Sequence, residues 1–168
     1  MQKELSEIYN LKIDADKLSF QPNRRYKNKI IACGLLAIVA FVLPRIVVLG
    51  YQGTYLVNCL GLVFAGYAVY DFLFRVNLTY IFDQSNRQVY CKIPGIYTRK
   101  LMAFEEVYIL LETLHFELHY VMAHKKNRFG GNYPISDYFT DSKKGRLEQE
   151  LFETEILTII EDFIVTNR

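Results

Sequence analysis

Two long apolar segments dominate the hydrophobic pattern of the first half of the chain. They cover residues 30–49 and 54–74, and each contains only a few polar positions. About twenty helical residues span about 30 Å, which is the thickness of a bilayer's hydrocarbon core. A buried helix of a soluble protein is rarely so long and so apolar on every face. The pattern therefore predicts a transmembrane helical hairpin within residues 29–75.

The linker between the two runs and the residues before them predict the orientation of the hairpin. Residues 50–53 are so few that the two helices must be antiparallel neighbours, which places both ends of the hairpin on one side. The linker contains no Lys or Arg, whereas a basic cluster precedes the first run: Arg24, Arg25, Lys27 and Lys29. The positive-inside rule then makes both termini cytoplasmic, with residues 1–28 as a cytoplasmic segment whose basic cluster contacts anionic lipid.

Three polar residues inside the predicted spans, Arg45, Asn58 and Asp71, invite a functional interpretation because such positions are costly in a bilayer. A hairpin centred on the linker puts Arg45 level with Asn58, and Asp71 one turn from Lys29. The favoured interpretation is that they are interface anchors or internal pairs. The alternative is an ion or proton path, which two helices alone cannot enclose. A homo-oligomer through the helices therefore stays open.

The remainder of the chain, residues 76–168, has a different pattern, typical of a soluble α+β domain. Short β-type segments alternate with turn signals, and a helical periodicity follows at 146–166. Its apolar stripe includes Phe152, Ile156 and Ile160. The pattern predicts an antiparallel up-and-down sheet capped by a C-terminal amphipathic helix. Six strands are predicted, at 78–82, 88–93, 97–104, 107–112, 114–123 and 133–139.

Two loose motifs in this region carry a family resemblance. FDxxxxRxVY runs from Phe82 to Tyr90, and RKLxAFEEV runs from Arg99 to Val107. Together with a two-helix hairpin before them, they resemble small bacterial membrane proteins with a PH-like domain. The resemblance implies a bent sheet closed at one corner by the C-terminal helix, in a multi-pass protein of the bacterial inner membrane. A PH-like barrel has seven strands, so one strand is missing or comes from residues 5–20.

Two groups of side chains in the domain are candidate ligand sites. His115, Glu117 and His119 alternate along a predicted strand, so the sequence places three potential metal ligands on one face. The favoured interpretation is the solvated face of an amphipathic strand, with no metal bound. A basic loop follows, in which Lys125, Lys126 and Arg128 are candidates for contact with a lipid headgroup or an acidic partner: the alternative is a solvated turn.

Composition and motifs limit the function further. The net charge is +2, which gives no field that favours nucleic acid, and the three cysteines have no paired spacing. The chain contains no phosphate-binding loop, nucleophile elbow or zinc-protease motif. We therefore predict a non-enzymatic protein without a cofactor, whose cytoplasmic PH-like domain binds another protein at the inner membrane. Two alternatives stay open: an immunity protein against a membrane-acting bacterial toxin, and a nucleotide-sensing effector that disrupts the membrane.

Overall fold

The segment before the apolar hairpin folds together with the segment after it. In this computed structural model, residues 1–24 and 78–168 form one unit, here called the β unit. Residues 25–77 form a second, called the hairpin unit. Secondary structure and side chains are described for residues 5–125 and 131–165.

This division differs from the one predicted, in which residues 1–28 stood apart and residues 76–168 alone made up the domain. The N-terminal segment contributes a short helix and two strands: α1 (Leu5–Ile8), β1 (Lys12–Asp14) and β2 (Lys17–Phe20). Residues 5–20 thus supply strands to the sheet. The sequence had left two alternatives, a missing seventh strand or a strand from this segment, and the structure has the second. Strands this short give almost no periodic signal, because three or four residues fit any period.

The hairpin unit consists of two long apolar helices. They are α2 (Lys27–Ile46) and α3 (Tyr51–Tyr70), and a π-helical turn at Asp71–Val76 continues α3. Their mean hydropathies are 2.1 and 1.6, and only 17% and 11% of the most apolar windows are buried inside the structure. Both are long and apolar enough to cross a membrane.

The connection between these helices lies three residues earlier than predicted, at residues 47–50 instead of 50–53. Val47 is extended and ends α2. Gly50 precedes the first turn of α3, and its carbonyl accepts a hydrogen bond from the Thr54 amide at 3.0 Å. Thr54 also donates its hydroxyl to the Leu49 carbonyl at 3.3 Å. These bonds let α3 begin at Tyr51, inside the stretch that looked like a turn.

Small residues let the two helices approach closely. The buried positions are Ile30 and Ala37 on α2 and Gly61 and Ala68 on α3. Each pair is seven residues apart, the repeat of left-handed helix packing. A Cβ added to Gly61 would lie 3.1 Å from the Ala40 Cβ, which is tighter than ordinary contact. Glycine at 61 therefore sets the distance between the helices.

The strands of the β unit pair antiparallel, as predicted, but they form two sheets where the sequence predicted one. The first has the order β1-β2-β3-β4-β5 and the second has the order β6-β7-β8. The strands after the hairpin are β3 (Thr79–Asp83), β4 (Gln88–Ile93), β5 (Tyr97–Ala103), β6 (Val107–Leu114), β7 (Glu117–His124) and β8 (Tyr133–Pro134).

Pairing of β2 with β3 joins the two parts of the β unit. Lys17 lies opposite Asp83 and Phe20 lies opposite Tyr80, so the chain leaves for the hairpin and returns at the same end of the sheet. At the other end, the Asp83 carboxylate accepts hydrogen bonds from the backbone and side chain of Asn86 at 3.2 and 3.1 Å, and pairs with Lys17 at 3.3 Å. Burial alone would raise the pKa of Asp83, but these donors hold it below its usual value.

Two predicted strands differ from the observed ones. Residues 114–123 were predicted as one alternating strand, but a turn at His115 and Phe116 separates β6 from β7. The alternation was misleading because a two-residue turn preserves an apolar–polar rhythm while the chain reverses. The predicted strand at 133–139 shortens to Tyr133–Pro134, and a single bridge pairs Phe139 with Leu118.

A C-terminal helix covers the core of the β unit. It comprises α4 (Lys143–Phe152), a π-helical stretch at Glu153–Leu157 and α5 (Thr158–Val165). The predicted apolar stripe is confirmed: Phe152, Ile156 and Ile160 are at most 1% exposed. The helix starts three residues earlier than predicted because Ser142 caps it, accepting a hydrogen bond from the Gly145 amide at 3.0 Å.

The C-terminal helix and both sheets pack in one apolar cluster, and a side-chain hydrogen bond joins helix and sheet at its margin. Leu18, Phe20, Phe82 and Val89 from the first sheet and Met122 from the second are at most 1% exposed and belong to this cluster with the helix stripe. At the margin, the Tyr120 hydroxyl donates a hydrogen bond to Glu153 of the helix. Burial, and then this bond to a carboxylate, raise the pKa of Tyr120.

Candidate functional site

Strand β6 lies at the edge of the second sheet and is apolar at most positions. Its sequence, VYILLETL, has the near-continuous apolar character of a strand buried on both faces. In the part of the chain that the structure describes, β6 pairs with β7 alone, so its other edge has no strand beside it. Edge strands of soluble domains usually carry charges or prolines that prevent pairing with other chains. Strand β6 departs from that pattern.

Both faces of β6 present exposed apolar side chains. Leu111 lies opposite Tyr120, which puts it on the core-facing side, yet 46% of Leu111 is exposed. The second sheet therefore extends beyond the core that it helps to form. On the other side Tyr108 is 39% exposed and Leu114 is 45% exposed. Among the described residues no strand lies along this edge of β6, and apolar side chains lie above and below it.

The turn that ends β6 is strained and carries an exposed aromatic ring. His115 and Phe116 have φ angles of +52° and +67°, a region that non-glycine residues seldom adopt. Two-residue turns of this kind normally use Asn-Gly, because both positions require positive φ. Each strained residue costs about 1–3 kcal/mol, and such strain concentrates at functional sites. The Phe116 side chain is 95% exposed, so burial in the fold does not offset this cost.

Together these features define the β6 edge: Tyr108, Leu111, Leu114 and Phe116 with the edge of the strand that faces away from β7. Such an edge can accept an extended segment of another chain, which adds a strand through backbone hydrogen bonds. The exposed side chains then supply apolar contacts to alternate residues of that segment. The sequence did not predict this site, because an apolar run such as VYILLETL fits a central strand as well as an edge strand.

The structure does not bring the three candidate metal ligands together on one solvated face. His115 lies in the turn, whereas Glu117 and His119 lie on β7. The interpretation of His119 as solvated is wrong: it is 4% exposed, and its ring lies 4.7 Å from the ring of Tyr138. The segment after β8 covers this face of β7, which a single-strand pattern does not reveal. Among the described residues, no group of three or more His, Cys, Asp or Glu is placed to hold a metal ion.

The structure describes the first two residues of the predicted basic loop, His124 and Lys125. Lys125 follows β7, and its amide donates a hydrogen bond to the Glu106 carbonyl at 2.8 Å. The neighbouring His124 ring lies 3.2 Å from the Glu106 carboxylate. Lys126 and Arg128 lie outside the described residues, so contact of this loop with a headgroup or partner stays a prediction.

The basic cluster before the hairpin is divided between the two units. Arg24 belongs to the β unit, where its guanidinium donates to the Gln21 side chain at 3.2 Å. Arg25, Lys27 and Lys29 belong to the hairpin unit and are exposed. The Lys29 ammonium lies 4.8 Å from the centre of the Tyr26 ring. An exposed cationic cluster of this kind suits contact with anionic headgroups.

The Tyr26 ring also organises the end of the hairpin at which α3 finishes. The Arg75 guanidinium lies 4.6 Å from the ring centre. This ring therefore contacts one cation from the start of α2, Lys29, and one from the residues that follow α3, Arg75. Arg75 also pairs with Asp71 at 3.8 Å, one turn away, and Asp71 is 4% exposed. The prediction placed Asp71 near Lys29, but the observed cation partner of Asp71 is Arg75.

The other two polar residues of the apolar helices share one groove. Arg45 and Asn58 both line it, together with Phe41, Thr54 and Cys59, and its volume is about 690 Å³. They were predicted to lie level with each other, and the shared groove agrees with that prediction. The groove is lined mainly by apolar surface and lies near the connection at 47–50.

Comparison with protein-family models, with characterised proteins and with solved structures finds no match to this chain.

Proposed function

We propose that this chain is a membrane-anchored, non-enzymatic binding protein whose β unit, a PH-like domain, engages another protein through the β6 edge. The observation that carries the proposal is an apolar edge strand ending in a strained turn with an exposed phenylalanine. Strain and exposed apolar surface at one place make the fold less stable. Burial of that surface against a partner offsets this loss.

The proposed anchor is the hairpin unit, spanning the inner membrane of a bacterium. The apolar side chains of α2 and α3 are exposed around most of each helix, which is favourable only in an apolar solvent. Cations flank the end of the hairpin that is joined to the β unit, whereas residues 47–50 contain none. The positive-inside rule then makes both termini and the β unit cytoplasmic. A reporter that is active only outside the cytoplasm, fused after Arg168, should therefore be silent, and one inserted after Val48 should be active.

The proposed binding mode is addition of a strand from the partner to β6. Backbone hydrogen bonds along the eight residues of β6 would set the register, and the exposed side chains would supply the apolar contact. Full burial of a side chain such as Phe116 or Leu111 contributes roughly 1.5–3 kcal/mol. Association costs roughly 4–15 kcal/mol, so the backbone hydrogen bonds along β6 have to add to these apolar contacts for a specific complex to form.

Photo-crosslinking of the full-length protein in its native membrane tests this mode. A photoreactive amino acid replaces Leu111 in one variant and Ile13 in a control. Ile13 is also apolar, is 61% exposed, and lies on β1, an edge strand of the other sheet. We expect a discrete adduct from position 111 and none from position 13. The adduct should disappear when Phe116→Ser is added, because the tip of the binding edge is then lost.

Two results would contradict the proposal. Equal labelling from both positions, at equal membrane levels, would show that the β6 edge has no preferred partner. An adduct of twice the protomer mass would show that β6 pairs with a second copy of this chain. The protein would then be a homodimer at this edge and would not bind a different protein there.

A further inference from the structure

The turn between β4 and β5 projects two exposed apolar side chains from a rigid support. Pro94 and Gly95 form its centre, with Gly95 at φ +76° and the Ile96 amide donating to the Ile93 carbonyl at 3.1 Å. This arrangement has the features of a type II turn, which needs glycine at its third position. Ile96 is 47% exposed and Tyr97 is 45% exposed.

Strand register fixes where this turn lies in the β unit. Lys92, near the end of β4, pairs with Thr79, the first residue of β3. Tyr80 pairs with Phe20, the last residue of β2. The turn at Pro94–Gly95 therefore lies at the end of the first sheet from which the chain leaves for the hairpin and to which it returns. We call this the joined end of the sheet.

The surface around this turn is basic. Lys92, Arg99 and Lys100 are all exposed, and residues 88–103 contain no Asp or Glu. The opposite end of the sheet carries charges of both signs, with Asp16 next to Lys17 and Arg87 paired with Glu105. Lys92, Ile96 and Tyr97 thus lie at the joined end, and Arg99 and Lys100 follow along β5 toward the middle of the sheet.

We propose that the β4–β5 tip, made of Lys92, Ile96, Tyr97, Arg99 and Lys100, docks on the anionic lipid surface of the bilayer that holds the hairpin. Lysine and arginine attract lipid phosphates, and tyrosine with an aliphatic neighbour suits the headgroup boundary. Covalent attachment of the joined end to the hairpin keeps the tip at a high local concentration near that surface. The inference rests on the membrane anchoring proposed above and adds a second lipid contact to it.

The absence of tryptophan from the chain allows a clean test. Three single-tryptophan variants of the full-length protein are placed in nanodiscs that contain phosphatidylcholine with brominated acyl chains, which quench nearby tryptophan. Tyr97→Trp reports on the tip. Ile13→Trp reports on an exposed position toward the opposite end of the same sheet, and Val39→Trp reports on an exposed position of α2.

We expect the Tyr97→Trp variant to be quenched when the discs also contain phosphatidylglycerol, and Ile13→Trp to stay unquenched. Changing Lys92, Arg99 and Lys100 to Gln should reduce the quenching of Tyr97→Trp by about twofold or more, because each cation near an anionic surface strengthens attachment. Removing phosphatidylglycerol should have a similar effect.

Three outcomes would overturn the inference. The first is an unquenched Tyr97→Trp beside a quenched Val39→Trp, which leaves the anchor intact and removes the tip contact. The second is equal quenching of Tyr97→Trp with and without phosphatidylglycerol. The third is a Tyr97→Trp that is not quenched by the lipid and changes its fluorescence only when the partner crosslinked at β6 is added. That result would mean that the tip contacts a protein and not the bilayer. An unquenched Val39→Trp would instead contradict the membrane anchor of the proposed function.

Discussion

The hairpin unit exposes apolar side chains on nearly every face, whereas the β unit exposes them at a few places only. In α2 and α3 the exposed apolar residues are distributed around both helices, and just four positions within them are buried. In the described part of the β unit, the large exposed apolar residues number nine and lie mostly in two groups. They are Ile13, Ile96, Tyr97, Tyr108, Leu111, Leu114, Phe116, Leu147 and Val165.

The difference shows that exposure of a leucine has to be interpreted against its surroundings. On a helix that is apolar all around, exposure to lipid is the expected state, so no single exposed residue indicates a site. On a domain with a well-packed core, exposed apolar residues that cluster on one strand and one turn indicate contact with something else. Substitutions at buried and exposed positions of the two units should separate these cases.

The largest effect is expected where the β unit buries its helix. Ile160 is 1% exposed, and Ile160→Asp would place a charge in the core. The cost should exceed about 5 kcal/mol, the lower limit of ordinary domain stability, so the β unit should unfold. Limited proteolysis of the full-length protein in nanodiscs measures this. Leu147→Asp, on the same helix but at a 50% exposed position, is the matched control and should resist protease like the parent.

A smaller but still large effect is expected in the N-terminal segment. Phe20 is fully buried and contacts the rings of Tyr80 and Phe82, so Phe20→Ala should cost about 3–5 kcal/mol. Thermal unfolding followed by near-ultraviolet circular dichroism gives the change, with Ile13→Ala as an exposed control on the neighbouring strand. An unchanged midpoint for Phe20→Ala would show that residues 1–24 are not part of the β unit.

The hairpin should respond to the addition of volume at a buried position. Gly61→Val puts a side chain where a single Cβ already lies 3.1 Å from Ala40, and should cost about 1–3 kcal/mol. Gly66→Val has nothing within 4 Å of its Cβ and should be close to neutral. Denaturant titration of helix–helix association in micelles compares the two. Equal effects would mean that α2 and α3 do not pack through Gly61.

The sequence was sufficient for the features that depend on long, regular patterns. The two apolar helices, the antiparallel sheet and the buried stripe of Phe152, Ile156 and Ile160 were predicted, because each repeats over many residues. The membership of residues 5–20 in the sheet was left open, since strands of three or four residues become visible only through partners distant in the chain.

The β6 edge was missed for a different reason. Hydrophobic pattern identifies a strand and its apolar faces, but it does not say whether the strand is central or at an edge. VYILLETL is typical of an ordinary core strand, and only the sheet order shows that β6 has one neighbouring strand within the described ranges. The turn was missed because no glycine or asparagine marks His115 and Phe116. Two non-glycine residues at positive φ indicate strain, but this becomes visible only when the backbone angles are known.

The smallest effect expected on stability is also the one that best separates folding from function. Replacing the turn by its preferred sequence, with His115→Asn and Phe116→Gly together, should stabilise the β unit by about 1 kcal/mol, because relief of strain at two positive φ angles is partly offset by the flexibility that glycine adds to the unfolded chain. The same change should weaken partner capture at β6, since it removes the exposed ring. His115→Asn alone relieves part of the strain but retains Phe116, so it should keep both the fold and the binding. A double variant that is more stable and still gives the full adduct from position 111 would mean that Phe116 plays no part in the contact. A double variant that is less stable would mean that the turn is not strained and that its conformation gives no indication of a binding site.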